Sequence, residues 1–191
     1  VETDAMVESI RSNIAGSESL SEVAVIDHSR LGHEAGSPMP PSRVVLFSDP
    51  QLESELIAQN PLTALDLPLR VLAYEAHAGE RSRLIYNSFD YLVSRYDLDE
   101  TASGAKRKAY EQAMSLALQN IDQGALAAFA NDNMNPDGII TISSPFGFEE
   151  TLARVENIEP ESLEQVEDSD TRARRVAMER LHAASHSVGV G

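Results

Sequence analysis

The stretch that most constrains the fold is residues 43–97, where three strand-like runs surround one short amphipathic segment. The runs are rich in Val, Leu, Ile and Tyr and are bounded by Pro, Ser, Gly or Asp, as strands between turns are. They lie at residues 43–48, 69–76 and 82–87. Only residues 77–81 separate the last two runs, and the segment His-Ala-Gly-Glu at 77–80 predicts a hairpin turn. The stretch therefore predicts neighbouring antiparallel strands.

Helical periodicity precedes and follows these strands. At residues 2–15 the apolar residues Met6, Ile10 and Ile14 recur at four-residue spacing, which predicts an amphipathic helix. Residues 104–123 show the same period and predict a longer helix. Its apolar face comprises Tyr110, Ala113, Met114, Ala117, Leu118 and Ile121.

Two more elements complete the prediction for this region. Residues 22–28 are rich in Val and Ile and predict a fourth strand. Residues 51–59 predict a short helix with Ser48 or Asp49 as its N-cap and Pro50 in its first turn.

The motifs of this region also carry a resemblance to a known family. They keep the family's order and spacing, although Ser48-Asp49-Pro50 stands where the family usually has Gly-Asn-Pro. Over roughly its first half the chain resembles the bacterial domain-of-unknown-function family number 302. The matching motifs are Ile26-Asp27-His28, residues 43–50, Asn60-Pro61 with residues 65–70, Glu75, Tyr86-Asn87 and Tyr91-Leu92.

The resemblance implies an α+β fold of the β-α-β4-α type, a single antiparallel sheet with helices on one face. We expect the other face to be partly exposed or used in dimer contact. Because side chains alternate along a strand, about half of the apolar strand residues should face away from the helices. The predicted aliphatic core comprises Ile10, Val25, Val45, Leu46, Leu69, Val71, Leu84, Ile85, Leu116 and Leu118.

The family's fold opens on a strand, whereas this sequence opens on the first helix. A strand-like run, Ile139 to Ser143, and a helical pattern at 148–155 occur late in the chain and look like the missing start. We expect them to complete the sheet, within one chain as a permutation or between two as a swap, because an unpaired edge strand invites aggregation. The alternative is the start of a second copy. The expected organisation is a main domain at 1–130, a linker at 131–138, a strand and helix at 139–158, and an acidic segment with a C-terminal helix at 159–191.

The charge balance excludes some classes of partner. The formal net charge is -16 and the isoelectric point is near 4.6. A surface this negative repels phosphate backbones and anionic headgroups, so we expect no nucleic-acid partner and no binding to membrane surfaces. No apolar run is long enough to span a bilayer, so we expect no membrane insertion.

The chain has no cysteine, which excludes disulfides, thiolate catalysis and cysteine-ligated metals. The lack of cysteine does not fix the compartment. We expect a periplasmic or otherwise exported protein, with the cytoplasm as the alternative.

Six polar residues embedded in the family-like motifs are the candidate binding residues. Two acids and a phenol that converge on one concavity can support acid–base work or cation binding. Asp27 is placed to orient the imidazole of His28, as carboxylates do for catalytic histidines. The structural alternative makes Asp66 a turn cap, with Asn87 and Asp90 capping a turn at 89–96. The six candidates are Asp27, His28, Asp66, Glu75, Tyr86 and Asn87.

Metal sites have little support. Glu179, His182 and His186 share one helix face and are weak candidate ligands, without an evident fourth ligand. Residues 133–144 resemble the opening of a calcium loop, but Ser144 stands where a bidentate Glu belongs. We predict no cofactor.

These observations favour a non-catalytic module that binds a small ligand or a protein, and a homodimer. No nucleophile motif, cofactor loop or complete metal set is present in the sequence. The alternative is a metal-dependent or acid–base enzyme that uses His28 with Asp66 or Glu75. Convergence of those side chains on one pocket separates the two hypotheses.

Overall fold

The structure is a computed structural model of the chain, and it describes residues 2–129 and 138–157. The chain forms two compact units, Val1–Ile139 and Ile140–Gly191. The described helices are α1 (Glu2–Ala15), α2 (His28–Glu34), α3 (Pro50–Gln59), α4 (Phe89–Tyr96), α5 (Glu100–Ala117) and α6 (Phe148–Glu156). The described strands are β1 (Ser21–Asp27), β2 (Ser42–Ser48), β3 (Leu69–Tyr74), β4 (Arg83–Asn87) and β5 (Leu126–Phe129).

The first unit contains one five-stranded sheet in the order β1-β2-β3-β4-β5. The first four strands are antiparallel neighbours, and β5 pairs with β4 in parallel. One transverse row of the sheet joins Asp27, Arg43, Ala73 and Leu84 across the four antiparallel strands. This register fixes which side chains share an end of the sheet.

The core lies between one face of the sheet and the helices. Val45, Phe47, Val71 and Ala73 alternate along β2 and β3 and are fully buried on that face, where α1 packs. On the opposite face the alternating residues are only half-buried. They include Ile26, Val44, Leu46, Leu72 and Ile85.

The α+β class and the four antiparallel strands are confirmed, with strand limits within two residues of the prediction. Asp49 is the N-cap of α3, and its side chain accepts from the Leu52 N–H. The predicted turn at 89–96 is the helix α4, but its cap is Ser88 rather than Asn87 or Asp90. The sequence pattern could not separate these three neighbouring polar residues.

Six of the ten predicted core residues are buried. The other four are partly exposed, three of them because of their position at the edge of the sheet or on its half-buried face. Val25 is 37% exposed because β1 lies at the edge of the sheet, and Leu46 and Ile85 point to the half-buried face. Leu116 is partly buried on α5.

The prediction that Ile139 to Ser143 completes the sheet within the chain is wrong. These residues form no strand, and Ile140 and Ile142 are 85% and 86% exposed. The strand added beside β4 is instead β5, which follows α5 after a few residues and therefore costs less loop-closure entropy. Exchange of the strand between two chains stays a prediction.

In the second unit the predicted late helix is present as α6. Its residues Phe148, Leu152 and Val155 recur at helical spacing and are all exposed. The N-terminal turn packs locally, because Thr151 Oγ1 lies 2.7 Å from Ser144 Oγ.

Candidate functional site

The register of the sheet divides the six candidate residues between two ends. Asp27 closes β1 in the row of Ala73, and Glu75 follows just beyond that row on β3. Asp66 precedes Leu69, which lies four residues before Ala73, or about 13 Å along the strand. Asn87 lies three residues beyond Leu84 on β4, towards the same end as Asp66. His28 and Asp66 therefore do not meet in one pocket.

At the first end of the sheet, the Asp27 carboxylate caps α2 and does not orient the imidazole of His28. Its carboxylate accepts from Ser29 Oγ at 2.6 Å and from the Arg30 N–H at 2.9 Å, which caps α2. Arg43 Nε lies 3.0 Å from the other oxygen. Burial opposes ionisation, but these hydrogen bonds and the Arg43 charge outweigh it and hold the pKa of Asp27 below its usual value. His28 is the exposed first residue of α2, and no contact joins it to Asp27 in the described chain.

Glu75 is 7% exposed and fastens the β3–β4 turn to α1. One carboxylate oxygen accepts from Gly79 N–H at 2.8 Å, and the other lies 3.3 Å from Thr3 Oγ1. Gly79 has a φ of +86°, a conformation that a residue with Cβ adopts only with strain. One oxygen of Glu75 therefore holds the left-handed turn, and the other ties it to α1.

At the second end, Asp66 is the centre of a hydrogen-bond network. The Tyr96 hydroxyl donates to its Oδ2, and the Tyr91 hydroxyl is also hydrogen-bonded to it. Asn87 Nδ2 donates a longer bond of 3.5 Å to Oδ1. Asn60 Nδ2 donates to the Tyr96 carbonyl at 3.0 Å, so the network ties α4 to the turn before β3. Asp66 therefore has a structural role, but as an acceptor for side chains rather than as the turn cap of the structural alternative.

The ionisation of the two phenols agrees with this role. Burial, followed by the hydrogen bond and the negative charge of Asp66, raises the pKa of Tyr96. Burial and the charge of Asp66 raise the pKa of Tyr91 as well. Both hydroxyls therefore remain protonated donors at neutral pH.

Tyr86 leads to a different feature, a cleft of about 560 Å³ between the end of β4 and α5. Its apolar floor includes Phe89, Tyr110, Met114 and Leu118, all at most 6% exposed. Tyr110 Oη donates to the Asn87 carbonyl at 2.7 Å, and its ring meets Phe89 edge-on at 5.6 Å between centroids. Burial, with a smaller effect of Asp66, raises the pKa of Tyr110. Both aromatic side chains of the floor are therefore held by contacts within the fold.

The rim of the cleft is polar. Arg107 Nη1 lies 2.7 Å from Asp90 Oδ1, and the guanidinium carbon lies 5.0 Å from the centre of the Phe89 ring. Glu111 follows Arg107 by one helical turn and also lines the cleft. Tyr86 is half-buried, and its hydroxyl has no hydrogen-bond partner in the described part of the chain. The cleft thus offers free polar groups above an apolar floor.

Only Tyr86 of the six candidate residues lines this cleft. The sequence analysis placed Tyr110 and Met114 on the apolar face of the predicted helix at 104–123 and gave no role to Arg107 or Glu111. A signal was present, because one face of α5 carries Arg107, Tyr110, Glu111 and Met114 at helical spacing, and Leu118 follows as the C-cap. The spacing alone does not distinguish a face buried in the core from one that lines a cleft, and the position of β4 beside α5 is what shows the cleft.

The described residues contain no group of three or more His, Asp or Glu side chains placed to hold a metal ion. The weak candidates Glu179, His182 and His186 lie outside the described residues, as do residues 133–137 of the calcium-like loop. None of the described helices has the length and apolar character needed to cross a membrane.

The fold and the cleft define a small α+β domain with one aromatic-floored concavity beside its last antiparallel strand. The chain belongs to the family described as "Domain of unknown function DUF302", whose match covers residues 1–121. A crystal structure of an uncharacterized conserved DUF302 protein from Bacillus stearothermophilus has the same fold. Its TM-score is 0.51 at 14% identity, with 60% of this chain and 88% of that chain covered.

Curated relatives match a shorter part of the chain. Fluoride-specific ion channel FluC 1 of Brucella suis is 34% identical over 73 residues, which is 38% of this chain and 28% of the relative. FluC 1 of Brucella abortus and FluC 2 of Brucella melitensis show the same identity over 73 residues. The match thus spans about a quarter of the length of these relatives.

Proposed function

We propose that this domain is a non-catalytic binding module that holds a small, partly apolar molecule in the cleft between β4 and α5. The observation that carries the proposal is the cleft itself. Its volume of about 560 Å³ falls within the roughly 300–1,000 Å³ of small-molecule sites. An apolar floor with a few free polar groups at the rim is the composition such sites have.

The arrangement of acids supports binding over acid–base catalysis. Asp66 is engaged with two phenols, and both oxygens of Glu75 are hydrogen-bonded. His28 is exposed and lies at the end of the sheet opposite Asp66. In the described residues these carboxylates are engaged in contacts that hold the fold together, and no base and partner converge on one pocket as acid–base catalysis requires.

The channel activity named for the Brucella relatives is not part of this proposal. The similarity covers only 73 residues, about a quarter of those proteins. The bacterial sources of the relatives and of the solved structure support a bacterial origin for this chain. The net charge of -16 supports the absence of a nucleic-acid partner.

The test is binding of the neutral fluorescent probe N-phenyl-1-naphthylamine, which brightens in apolar sites. Ser115 is an exposed lining residue of α5, and Ser115→Trp places an indole in the cleft. Gln112→Trp is the matched control, because Gln112 is exposed on the same helix but does not line the cleft. We expect saturable binding to the wild type and the control and its loss in Ser115→Trp. Absence of saturable binding, or equal binding by all three proteins, contradicts the proposal.

A second observation favours self-association. Within the described chain, β1 has a strand on one side only, and Val23 and Val25 on it are 46% and 37% exposed. An edge with unpaired backbone groups can pair with another copy. We therefore propose a homodimer through β1, tested by light scattering on Val23→Lys. The variant should be monomeric, whereas Ile57→Lys, a 39% exposed position on α3, should remain dimeric. A monomeric wild type overturns this proposal.

A further inference from the structure

The charges around the cleft are not balanced. Its three charged lining residues are Asp90, Arg107 and Glu111. Arg107 is neutralised by Asp90 at 2.7 Å and is held over the Phe89 ring. The exposed Glu111 carboxylate forms no hydrogen bond or ion pair with any described residue. The free charge at the rim is therefore negative.

Two further features act in the same direction. The half-buried Tyr86 lines the cleft with a hydroxyl that has no partner in the described chain, and its ring is a surface on which a cation is attracted. The whole chain carries a net charge of -16, so its field concentrates cations and repels anions. A carboxylate ligand would meet Glu111, and none of the described lining residues offers it a free cation.

We infer that the cleft selects a small organic amine, an ammonium group attached to an apolar body. This inference rests on the proposed binding function and names its ligand class. The ammonium group lies between the Glu111 carboxylate and Tyr86, and the apolar body covers Met114 and Leu118 on the floor. Glu111 makes the largest contribution to the preference for an amine over a neutral ligand, because a charge-assisted hydrogen bond is about twice as strong as a neutral one.

The test compares three molecules of one shape: 2-phenylethylamine, 2-phenylethanol and 3-phenylpropanoate. Each is titrated at neutral pH into the ¹⁵N-labelled full chain, and the shifts of the α5 amides locate the site. We expect the amine to bind about tenfold more tightly than the alcohol, and the carboxylate to bind most weakly. In Glu111→Gln the affinity for the amine should fall towards that of the alcohol, with only the smaller contributions of Tyr86 and the net charge remaining, and the affinity for the alcohol should not change.

Glu34→Gln is the matched control, since it removes one negative charge from α2, beside the opposite edge of the sheet. It should keep the preference for the amine. Equal binding of amine and alcohol by the wild type, or a preference as large in Glu111→Gln as in the wild type, overturns the amine inference while the binding function stands. Failure of all three molecules to shift any α5 amide overturns both.

Discussion

The stability of Asp66→Asn tests whether Asp66, a residue of the family motifs, has a structural role or a functional one. In Asp66→Asn the side chain keeps its shape but loses its charge. The bonds from Tyr96 and Tyr91 then become neutral hydrogen bonds. A bond to a charged group contributes about 1.5–3 kcal/mol and a neutral one about 0.5–1.5, so each replacement costs about 1–1.5 kcal/mol.

Two such bonds predict a loss of about 2–3 kcal/mol in the free energy of unfolding. For a unit of about 140 residues the unfolding entropy is near 0.3 kcal/mol/K, so the midpoint should fall by about 7–10 °C. Circular dichroism during heating and urea titration at pH 7 measure both quantities. Glu34→Gln is the control, because its pair with Arg30 is exposed on both sides and should contribute under about 0.5 kcal/mol.

A double-mutant cycle with Tyr96→Phe should give a coupling energy of about 1–2 kcal/mol, because the two side chains are in contact. The reasoning is refuted if Asp66→Asn unfolds at the wild-type midpoint or above it. A gain in stability would mean that the carboxylate is held at a cost, as carboxylates at functional sites are.

Two further predictions concern titration and the cleft floor. Burial raises the pKa of Glu53 above its ordinary 4.5, despite the hydrogen bond from Ser48, so the folded state binds the proton more tightly than the unfolded chain. Relative to Glu53→Gln, the wild type should therefore lose stability as the pH rises from about 4.5 through the raised pKa. Urea titration at several pH values measures this difference, and a wild type that gains stability relative to Glu53→Gln over that range would contradict the prediction. Tyr110→Phe removes the donor to the Asn87 carbonyl and should cost about 1–2 kcal/mol, a fall of about 3–6 °C by calorimetry. The control is Tyr74→Phe, because Tyr74 is half-buried and its hydroxyl has no partner in the described chain. This variant should unfold at the wild-type midpoint. An equal loss in Tyr74→Phe and Tyr110→Phe would exclude the hydrogen bond as the cause.

The sequence determined the elements and the family of this protein, because their signals are local. Runs rich in Val and Leu and bounded by turn-forming residues predicted β2 and β3, and Asp49-Pro50 predicted the start of α3. Each of these signals lies within a few neighbouring residues, so a single sequence was sufficient to find them. The hairpin at Gly79 was predicted for the same reason.

Local signals were also the source of the errors. The run from Ile139 to Ser143 has the composition of a strand, but strand formation requires a partner, and β5 occupies the place beside β4. The cap of α4 fell to Ser88, since only its hydroxyl reaches the Tyr91 N–H, at 3.2 Å. A pattern of residue types does not contain that geometry.

Only the tertiary structure decided which side chains share a site. The six candidate residues belong to one series of motifs in the sequence. The antiparallel register nevertheless places Asp27 and Glu75 at one end of the sheet and Asp66 and Asn87 at the other. The cleft arises where Tyr86 on β4 meets a face of α5 more than twenty residues later. Strand register and helix packing depend on contacts between distant residues, and those contacts form only when the whole chain buries its apolar faces together.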